Sequence, residues 1–173
     1  MNFEFEILDF IYNIHNPVLD ACMRFVTCLG DGGIMWIILG LVMCFIKKYR
    51  RAGATVLLAL LMMLVIGNVT LKPLIARIRP YEFADHVSLI IAAPDDFSFP
   101  SGHTFASFAS AVSIFMFHKK EGCISLILAS VIAFSRLYLY VHYPTDILAG
   151  IVLGIAVAFI SRAITSRVKL LGA

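Results

Sequence analysis

Charged residues are scarce in this chain, and its basic residues form no extended stripe. Asp, Glu, Lys and Arg make up 14% of the 173 residues, against about 25% in soluble domains. Hydrophobic residues reach 61%, and the mean hydropathy is +0.93. The small net charge of +3 and the missing stripe argue against a nucleic-acid partner. The composition is that of an integral membrane protein, whose constant partner is the lipid bilayer.

Paired cysteines and a targeting signal are also lacking. Cys22, Cys28, Cys44 and Cys123 form no C-x-x-C pair and have no zinc spacing, so we expect four small buried hydrophobic residues. The acidic N-terminus has neither the basic start nor the apolar core of a cleavable signal peptide. Internal repeats are missing, as is the alternation of barrel strands, which leaves helices to cross the membrane.

Long apolar runs are what the sequence does contain. Each is close to the roughly 17–25 residues that cross a bilayer. The five candidate spans are residues 25–46, 52–71, 102–117, 123–141 and 146–165. Residues 1–20 place apolar and acidic side chains on different faces, which predicts an amphipathic helix in the membrane interface, or a sixth span if they cross. We therefore predict one all-α domain over residues 1–173, a polytopic transmembrane bundle whose helical core covers residues 25–165.

Basic residues lie mainly at one end of these spans. Nine of the 14 Lys and Arg residues are Lys47, Lys48, Arg50, Arg51, Lys119, Lys120, Arg162, Arg167 and Lys169. The positive-inside rule makes their side cytoplasmic. This predicts a multi-pass protein of the cell membrane with a cytoplasmic C-terminus.

Three short strings lie at the opposite ends of the spans. They are Lys72-x6-Arg79-Pro80, Pro100-Ser101-Gly102-His103 and Ser135-Arg136-x5-His142-x3-Asp146. Ionisable groups beside apolar segments are costly and usually functional. Because all three strings fall on the predicted outer face, we expect segments distant in sequence to build one site there.

The cations of these strings are suited to binding a phosphate group. Lys72, Arg79 and Arg136 could neutralise its charge, the arginines through bidentate forks. Fixed donors of this kind also stabilise the charge that shifts during phosphate transfer. Arg77 has no such support and is interpreted as a headgroup or surface contact.

The second string predicts a loop that runs into a helix N-terminus. Main-chain N–H groups at such a position bind anions. Gly102 would let a phosphate approach the main chain, and Ser101 could add a hydroxyl donor.

The two histidines of the strings suggest acid–base and nucleophilic chemistry. Asp146 lies four residues after His142, and a carboxylate on one imidazole nitrogen leaves the other free to attack. His103 would then protonate the leaving group and later activate water, although the residues alone also allow the reverse assignment. A zinc site of His103, His142 and Asp146 is the metal alternative. Because the adjacent cations would repel a dication, we predict no metal and no cofactor.

In order and spacing, the strings resemble the signature of the type 2 phosphatidic acid phosphatase superfamily, over about residues 20–165. That family includes lipid phosphate phosphatases and shares its catalytic core with vanadium haloperoxidases. The resemblance implies metal-independent hydrolysis through a phosphohistidine at His142, with His103 as general acid and Asp146 orienting His142. The phosphate ligands it implies are Lys72, Arg79, Ser101, Gly102 and Arg136. The short amphipathic start resembles compact bacterial members that act on undecaprenyl diphosphate, phosphatidylglycerophosphate or related lipids.

The sequence therefore predicts a hydrolase that removes phosphate from a lipid monoester or diphosphate, phosphatidate included, at the outer membrane face. A haloperoxidase is disfavoured because those enzymes are soluble. A lipid-phosphate transporter or binding protein is disfavoured because it has no use for a paired nucleophile. Residues 81–99, which join two strings, are either a lid or recognition element or an ordinary connector. The motifs specify neither the lipid nor the oligomeric state.

Overall fold

Residues 3–167 are described by a computed structural model, and every regular element in that range is helical. The α-helices are α1 (Phe3–Tyr12), α2 (Pro17–Cys28), α3 (Ile34–Phe45), α4 (Arg50–Met63), α5 (Lys72–Ile75), α6 (Gly102–Phe115), α7 (Lys119–Tyr138) and α8 (Pro144–Thr165). Shorter elements are 3-10 turns at Asp31–Gly33 and Pro80–Phe83 and a π-helix at Leu64–Leu71. The predicted all-α class is confirmed.

Four helical segments of the described chain are long and apolar enough to cross a membrane. They are Pro17–Phe45, Arg50–Phe83, Lys119–Tyr138 and Pro144–Thr165. Helix α6, the short third span of the prediction, has 14 residues and packs against α4, α7 and α8 at the centre of the bundle. Its Phe105 and Ala109 are completely buried. The predicted polytopic bundle is therefore confirmed, with α6 as its core.

Small residues let α6 and α8 approach closely. A Cβ atom on Gly154 would lie 2.9 Å from the main-chain N of Ala109 and 3.0 Å from the main-chain O of Phe105. A Cβ on Gly150 would lie 3.0 Å from Thr104 Cβ. The Gly150-x3-Gly154 pair thus packs within the chain rather than against a partner.

The N-terminal segment differs from the single helix predicted over residues 1–20. It is divided at Asn16, whose side-chain oxygen accepts from the main-chain N–H groups of Val18 and Leu19 at 3.2 and 3.0 Å and so caps α2. Pro17 follows at the first helical position, where its missing N–H costs nothing. Helix α1, with 10 residues, is too short to cross a bilayer at about 1.5 Å per residue. It packs against α7 and α8 instead.

The first span also differs from its predicted bounds. It begins at Pro17 rather than at residue 25, and the 3-10 turn Asp31–Gly33 separates α2 from α3. Gly32 and Gly33 have φ values of 58° and 67°, a left-handed conformation that glycine adopts readily. Hydropathy alone does not register this break because the flanking residues remain apolar.

The second span ends in a reversal that positions the first string. The helix continues through the π-helix to Ile75, and Ala76 then takes a left-handed conformation with φ 48°. The chain turns back over the end of the bundle, carrying Arg77 and Arg79 with it.

The two ends of the bundle have different chemistry. The strings lie at one end, whereas the basic loops meet at the other, where the Tyr49 hydroxyl donates to Glu121 Oε1 at 3.0 Å. Lys169 lies outside the described residues.

The expectation of four buried cysteines was wrong. Cys22, Cys28 and Cys123 are exposed on the bundle surface and Cys44 is half-buried. An apolar side chain of a membrane span can face lipid as readily as the core.

Candidate active site

Lys72 and Arg79 meet at one carboxylate. Their exposed fractions are 7% and 2%, and Lys72 Nζ and Arg79 Nη2 each donate to a different carboxylate oxygen of Asp96. Arg79 Nε also donates to the main-chain O of Asp96 at 2.7 Å. Partial burial alone would raise the pKa of Asp96, but hydrogen bonds and charges from Lys72 and Arg79 outweigh it and lower the pKa to about 2. The two cations therefore form an anion site that an internal carboxylate occupies.

Arg136 supplies a third buried cation from the last turn of α7. Its Nη1 donates to the Thr27 hydroxyl, while its buried Nε has no hydrogen-bond partner among the described residues. A buried donor without an acceptor is costly. The unpaired N–H is therefore suited to an oxygen atom of a bound molecule.

Ser101 and Gly102 begin α6 as predicted. The Ser101 hydroxyl caps the helix and accepts a hydrogen bond from the Thr104 hydroxyl at 3.0 Å. A Cβ atom on Gly102 would lie 3.9 Å from Lys72 Nζ, so the missing side chain leaves room for an anion beside that ammonium group. In the structure the Ser101 hydroxyl serves as the cap of α6.

His142 lies between α7 and α8, and its two ring nitrogens face different partners. Nδ1 lies 3.4 Å from Asp146 Oδ2, and Nε2 lies 3.3 Å from Arg79 Nη1. The Asp146 carboxylate also accepts the Tyr143 main-chain N–H at 2.9 Å, at the start of α8. Burial lowers the pKa of His142 to about 3; the Asp146 hydrogen bond opposes this effect, and the charges of Arg79 and Arg136 add to it. The ring is therefore neutral at physiological pH.

His103 has a carboxylate partner that was not predicted from the sequence. Its Nε2 lies 2.9 Å from Asp31 Oδ1, in the turn between α2 and α3. Gly30 makes this approach feasible, since a Cβ there would lie 2.5 Å from His103 Cδ2. No local motif marks Asp31, because it comes from a different part of the sequence.

Two further groups bind Asp146 and were not assigned to the site from sequence. The Ser98 hydroxyl donates to Asp146 Oδ2 at 2.5 Å, and Arg77 Nη1 donates to Asp146 Oδ1 at 2.7 Å. The interpretation of Arg77 as a headgroup or surface contact was wrong. Its position inside the first string, two residues before Arg79, was the available signal. With Asp96 and Ser98, the connector over residues 81–99 contributes directly to the site.

His103 lines two cavities. One, of about 460 Å³, contains Lys72, Asp96 and Gly102 and continues between apolar side chains of α3 and α4. The other, of about 500 Å³, lies beside Arg136 and Asp31. Three apolar residues of the first cavity, Ile37, Leu61 and Leu64, are exposed on the bundle surface. We name this first cavity the lateral cleft.

The zinc alternative required His103, His142 and Asp146 to face one point. Within residues 3–167 no three His, Cys, Asp or Glu side chains are grouped as metal ligands. His103 is paired with Asp31, and His142 with Asp146, so the two imidazoles belong to separate pairs.

Known proteins resemble this chain in sequence and in structure. The PAP2 superfamily model matches residues 52–169. An undecaprenyl-diphosphatase of Sulfolobus acidocaldarius is 29% identical over 167 residues, covering 96% of this chain and 80% of the relative. Phosphatidylglycerophosphatase B of Bacillus subtilis is 33% identical, covering 90% and 80%.

A solved structure agrees with these relatives. The crystal structure of a transmembrane PAP2 type phosphatidylglycerolphosphate phosphatase from Bacillus subtilis has a TM-score of 0.76 at 27% identity, covering 95% of this chain and 85% of that one. The resemblance inferred from the three strings is thereby confirmed. This chain belongs to the PAP2 superfamily and is a multi-span membrane phosphatase.

Proposed function

We propose that this phosphatase hydrolyses a lipid phosphate monoester or diphosphate through a phosphohistidine on His142. The observation that carries the proposal is the junction of the anion site with the lateral cleft. Lys72 and Gly102 line the same cavity as Ile37 and Leu61. A molecule with a phosphate at one end and an apolar chain at the other matches both parts.

Substrate binding requires the Asp96 carboxylate to leave the anion site. The phosphate takes the place of the Asp96 carboxylate on Lys72 and Arg79, and Arg136 Nε adds a third donor. Such charge-assisted bonds are strongest in a site from which water is excluded. Arg79 Nη1 lies 3.3 Å from His142 Nε2. A phosphate bound to Arg79 would therefore have its phosphorus close to that ring nitrogen.

Transfer then proceeds in two steps. In the first, His142 Nε2 attacks phosphorus, the bond from phosphorus to the leaving oxygen breaks, and His103 donates its proton to that oxygen. In the second, His103 takes a proton from water as the water oxygen attacks phosphorus, and the N–P bond breaks to release inorganic phosphate. Asp146 accepts the Nδ1–H throughout and stabilises the positive charge that the ring gains on phosphorylation.

The lipid class is supported by two independent features. The exposed side chains Ile37, Leu61 and Leu64 line the cleft on spans that cross the bilayer, so a chain lying in the cleft remains in contact with lipid. The relatives named above act, by their names, on undecaprenyl diphosphate and on phosphatidylglycerophosphate. We propose a polyprenyl diphosphate or a glycerophospholipid monoester as the substrate.

Charge distribution supports an orientation in the cell membrane. The basic loops lie at the end of the bundle opposite the site, and the positive-inside rule makes that end cytoplasmic. The active site would then face outward, with α1 in the outer interface and the C-terminus inside. Cysteine accessibility labelling on intact cells, with a single cysteine near His86 or near His118, tests this orientation.

The activity is tested with the purified protein in detergent, with a chelator present. Phosphate release is measured from undecaprenyl diphosphate, phosphatidylglycerophosphate and phosphatidate. We expect one lipid to be strongly preferred, and orthovanadate to inhibit. His142→Ala should abolish release while retaining vanadate binding, and His118→Ala, at the other end of the bundle, should behave as wild type. Turnover by His142→Ala would exclude the covalent mechanism.

A further inference from the structure

Arg77 connects the buried carboxylate of the site to the N-terminal helix. One Nη atom donates to Asp146 Oδ1 at 2.7 Å and to the Thr145 hydroxyl at 2.6 Å. The other donates to Glu4 Oε2 at 2.6 Å. The guanidinium also lies 3.8 Å from the ring centroid of Tyr143. This side chain is held on several sides at once.

The carboxylate that Arg77 contacts is completely buried and needs partners that compensate for its lost hydration. Asp146 is 0% exposed. Its Oδ2 accepts from the Ser98 hydroxyl and the Tyr143 N–H and faces His142. These partners are neutral, since His142 is uncharged at physiological pH. Arg77 is the partner that brings a full positive charge to Asp146, through Oδ1. A buried carboxylate without such a partner carries a large desolvation cost.

Arg77 stands apart from the groups that would hold the phosphate. It lines neither the lateral cleft nor the cavity beside Arg136. Its outer anchor, Glu4, also accepts from the Thr145 main-chain N–H and hydroxyl at 3.2 and 2.6 Å. Glu4 thus joins α1 to the first turn of α8, the turn that contains Asp146.

We propose that Arg77 is a positioning residue, which keeps Asp146 ionised and turned toward His142 Nδ1 through an anchor on Glu4. The inference rests on the proposed function. When His142 Nε2 bonds to phosphorus the ring becomes positive, and a carboxylate fixed at Nδ1 stabilises that charge. Without Arg77, Asp146 can rotate or take up a proton, and its hydrogen bond to Nδ1 is lost.

The test compares Arg77→Gln, Arg77→Lys, Asp146→Asn and the double variant Arg77→Gln/Asp146→Asn, all in detergent. Arg162→Gln, at the opposite end of the bundle, is the control for loss of an arginine. For each we measure kcat, KM, orthovanadate affinity, the pH profile of kcat and the midpoint of thermal unfolding. Glu4→Gln is a milder variant that weakens the outer anchor and leaves Arg77 and Asp146 in place.

We expect kcat of Arg77→Gln to fall about 10- to 100-fold, the range typical for removing a partner that orients a metal ligand, with vanadate affinity within about twofold of wild type. Arg77→Lys should recover part of the rate, since a lysine retains the charge but not the fork. Loss of the Asp146 hydrogen bond, which favours the imidazolium form of His142, should move the acid limb of the profile to lower pH. On the Asp146→Asn background, Arg77→Gln should cause no further fall in kcat.

Three results would overturn the inference. The first is wild-type kcat in Arg77→Gln. The second is a fall in vanadate affinity with kcat unchanged, which would make Arg77 a phosphate ligand. The third is a rate loss that is additive with Asp146→Asn. If Arg77→Gln does not fold, Arg77→Lys and Glu4→Gln give the same readouts. Wild-type turnover in the same assay tests the proposed function separately, because it does not depend on Arg77.

Discussion

Asp31 Oδ1 lies 2.9 Å from His103 Nε2, so each imidazole of the active site has its own carboxylate. The two pairs differ in their access to water. Asp146 is fully enclosed beside His142, whereas the side chain of Asp31 is 60% exposed. An open pair can exchange protons with solvent and an enclosed pair cannot, which supports the proposed roles of His103 as acid and His142 as nucleophile.

Replacing Asp31 should affect protonation of the general acid. In Asp31→Asn the charged form of His103 loses its partner, so we expect the alkaline limb of the kcat profile to move to lower pH and kcat near neutrality to fall about 10-fold. Vanadate affinity should change little because Asp31 does not contact the anion site. An unchanged alkaline limb would mean that Asp31 does not act on the protonation of His103.

Replacing Asp96 should make the anion site more available to phosphate. The carboxylate competes with phosphate for Lys72 and Arg79, and a competing occupant weakens apparent affinity in proportion to its occupancy. We expect Asp96→Asn to bind orthovanadate and inorganic phosphate about 3- to 10-fold more tightly, measured as inhibition constants. Asp95→Asn removes the same charge from the exposed neighbour and should leave both constants unchanged. Weaker anion binding in Asp96→Asn would show that the carboxylate organises the cations instead.

His142 should remain neutral far below the usual histidine range. Its pKa is lowered to about 3, against about 6.5 for an ordinary histidine. With 15N-labelled histidine and the signal assigned by comparison with His142→Gln, the ring should show the neutral form from pH 8 down to about pH 5. Because the unfolded chain binds this proton near pH 6.5 and the folded chain does not, His142 should also reduce stability as pH falls below that value. Titration near pH 6.5 would contradict the burial argument.

Close packing of α6 and α8 should tolerate no added methyl group. In Gly154→Ala the new Cβ would meet the main chain of Ala109 and Phe105, and main-chain atoms cannot move aside as a flexible side chain can. We expect a loss of about 1–3 kcal/mol, seen as a lower thermal midpoint in detergent. Ala156→Leu adds a larger group to the exposed face of the same helix and should have a small effect. Equal midpoints for Gly154→Ala and wild type would contradict the close approach.

Much of this molecule could be predicted from sequence because its signals are local. Apolar runs of membrane-crossing length indicate helices wherever they pack, and the three strings contain most of the site within a few residues each. The break before α2 was not predicted, although an asparagine followed by proline is a typical helix start.

The contacts that were missed join residues far apart in the chain. Asp31 meets His103 across 72 positions, and Arg77 meets Asp146 across 69, so no spacing rule could pair them. Arg77 was interpreted as a headgroup contact because an arginine at a membrane boundary serves either role, and its position inside the first string was the one signal against that interpretation. The predicted burial of the cysteines was wrong for a different reason, since hydrophobicity does not distinguish a lipid-facing side chain from a buried one.

The lateral cleft has a consequence for how this enzyme should be assayed. Ile37, Leu61 and Leu64 line it on bilayer-facing surfaces, so a substrate entering there arrives by diffusion in two dimensions. Its effective concentration is then its share of the surrounding amphiphiles rather than its amount per litre. Adding inert lipid or detergent at a fixed total substrate should slow turnover, and KM should be constant only when expressed as a mole fraction.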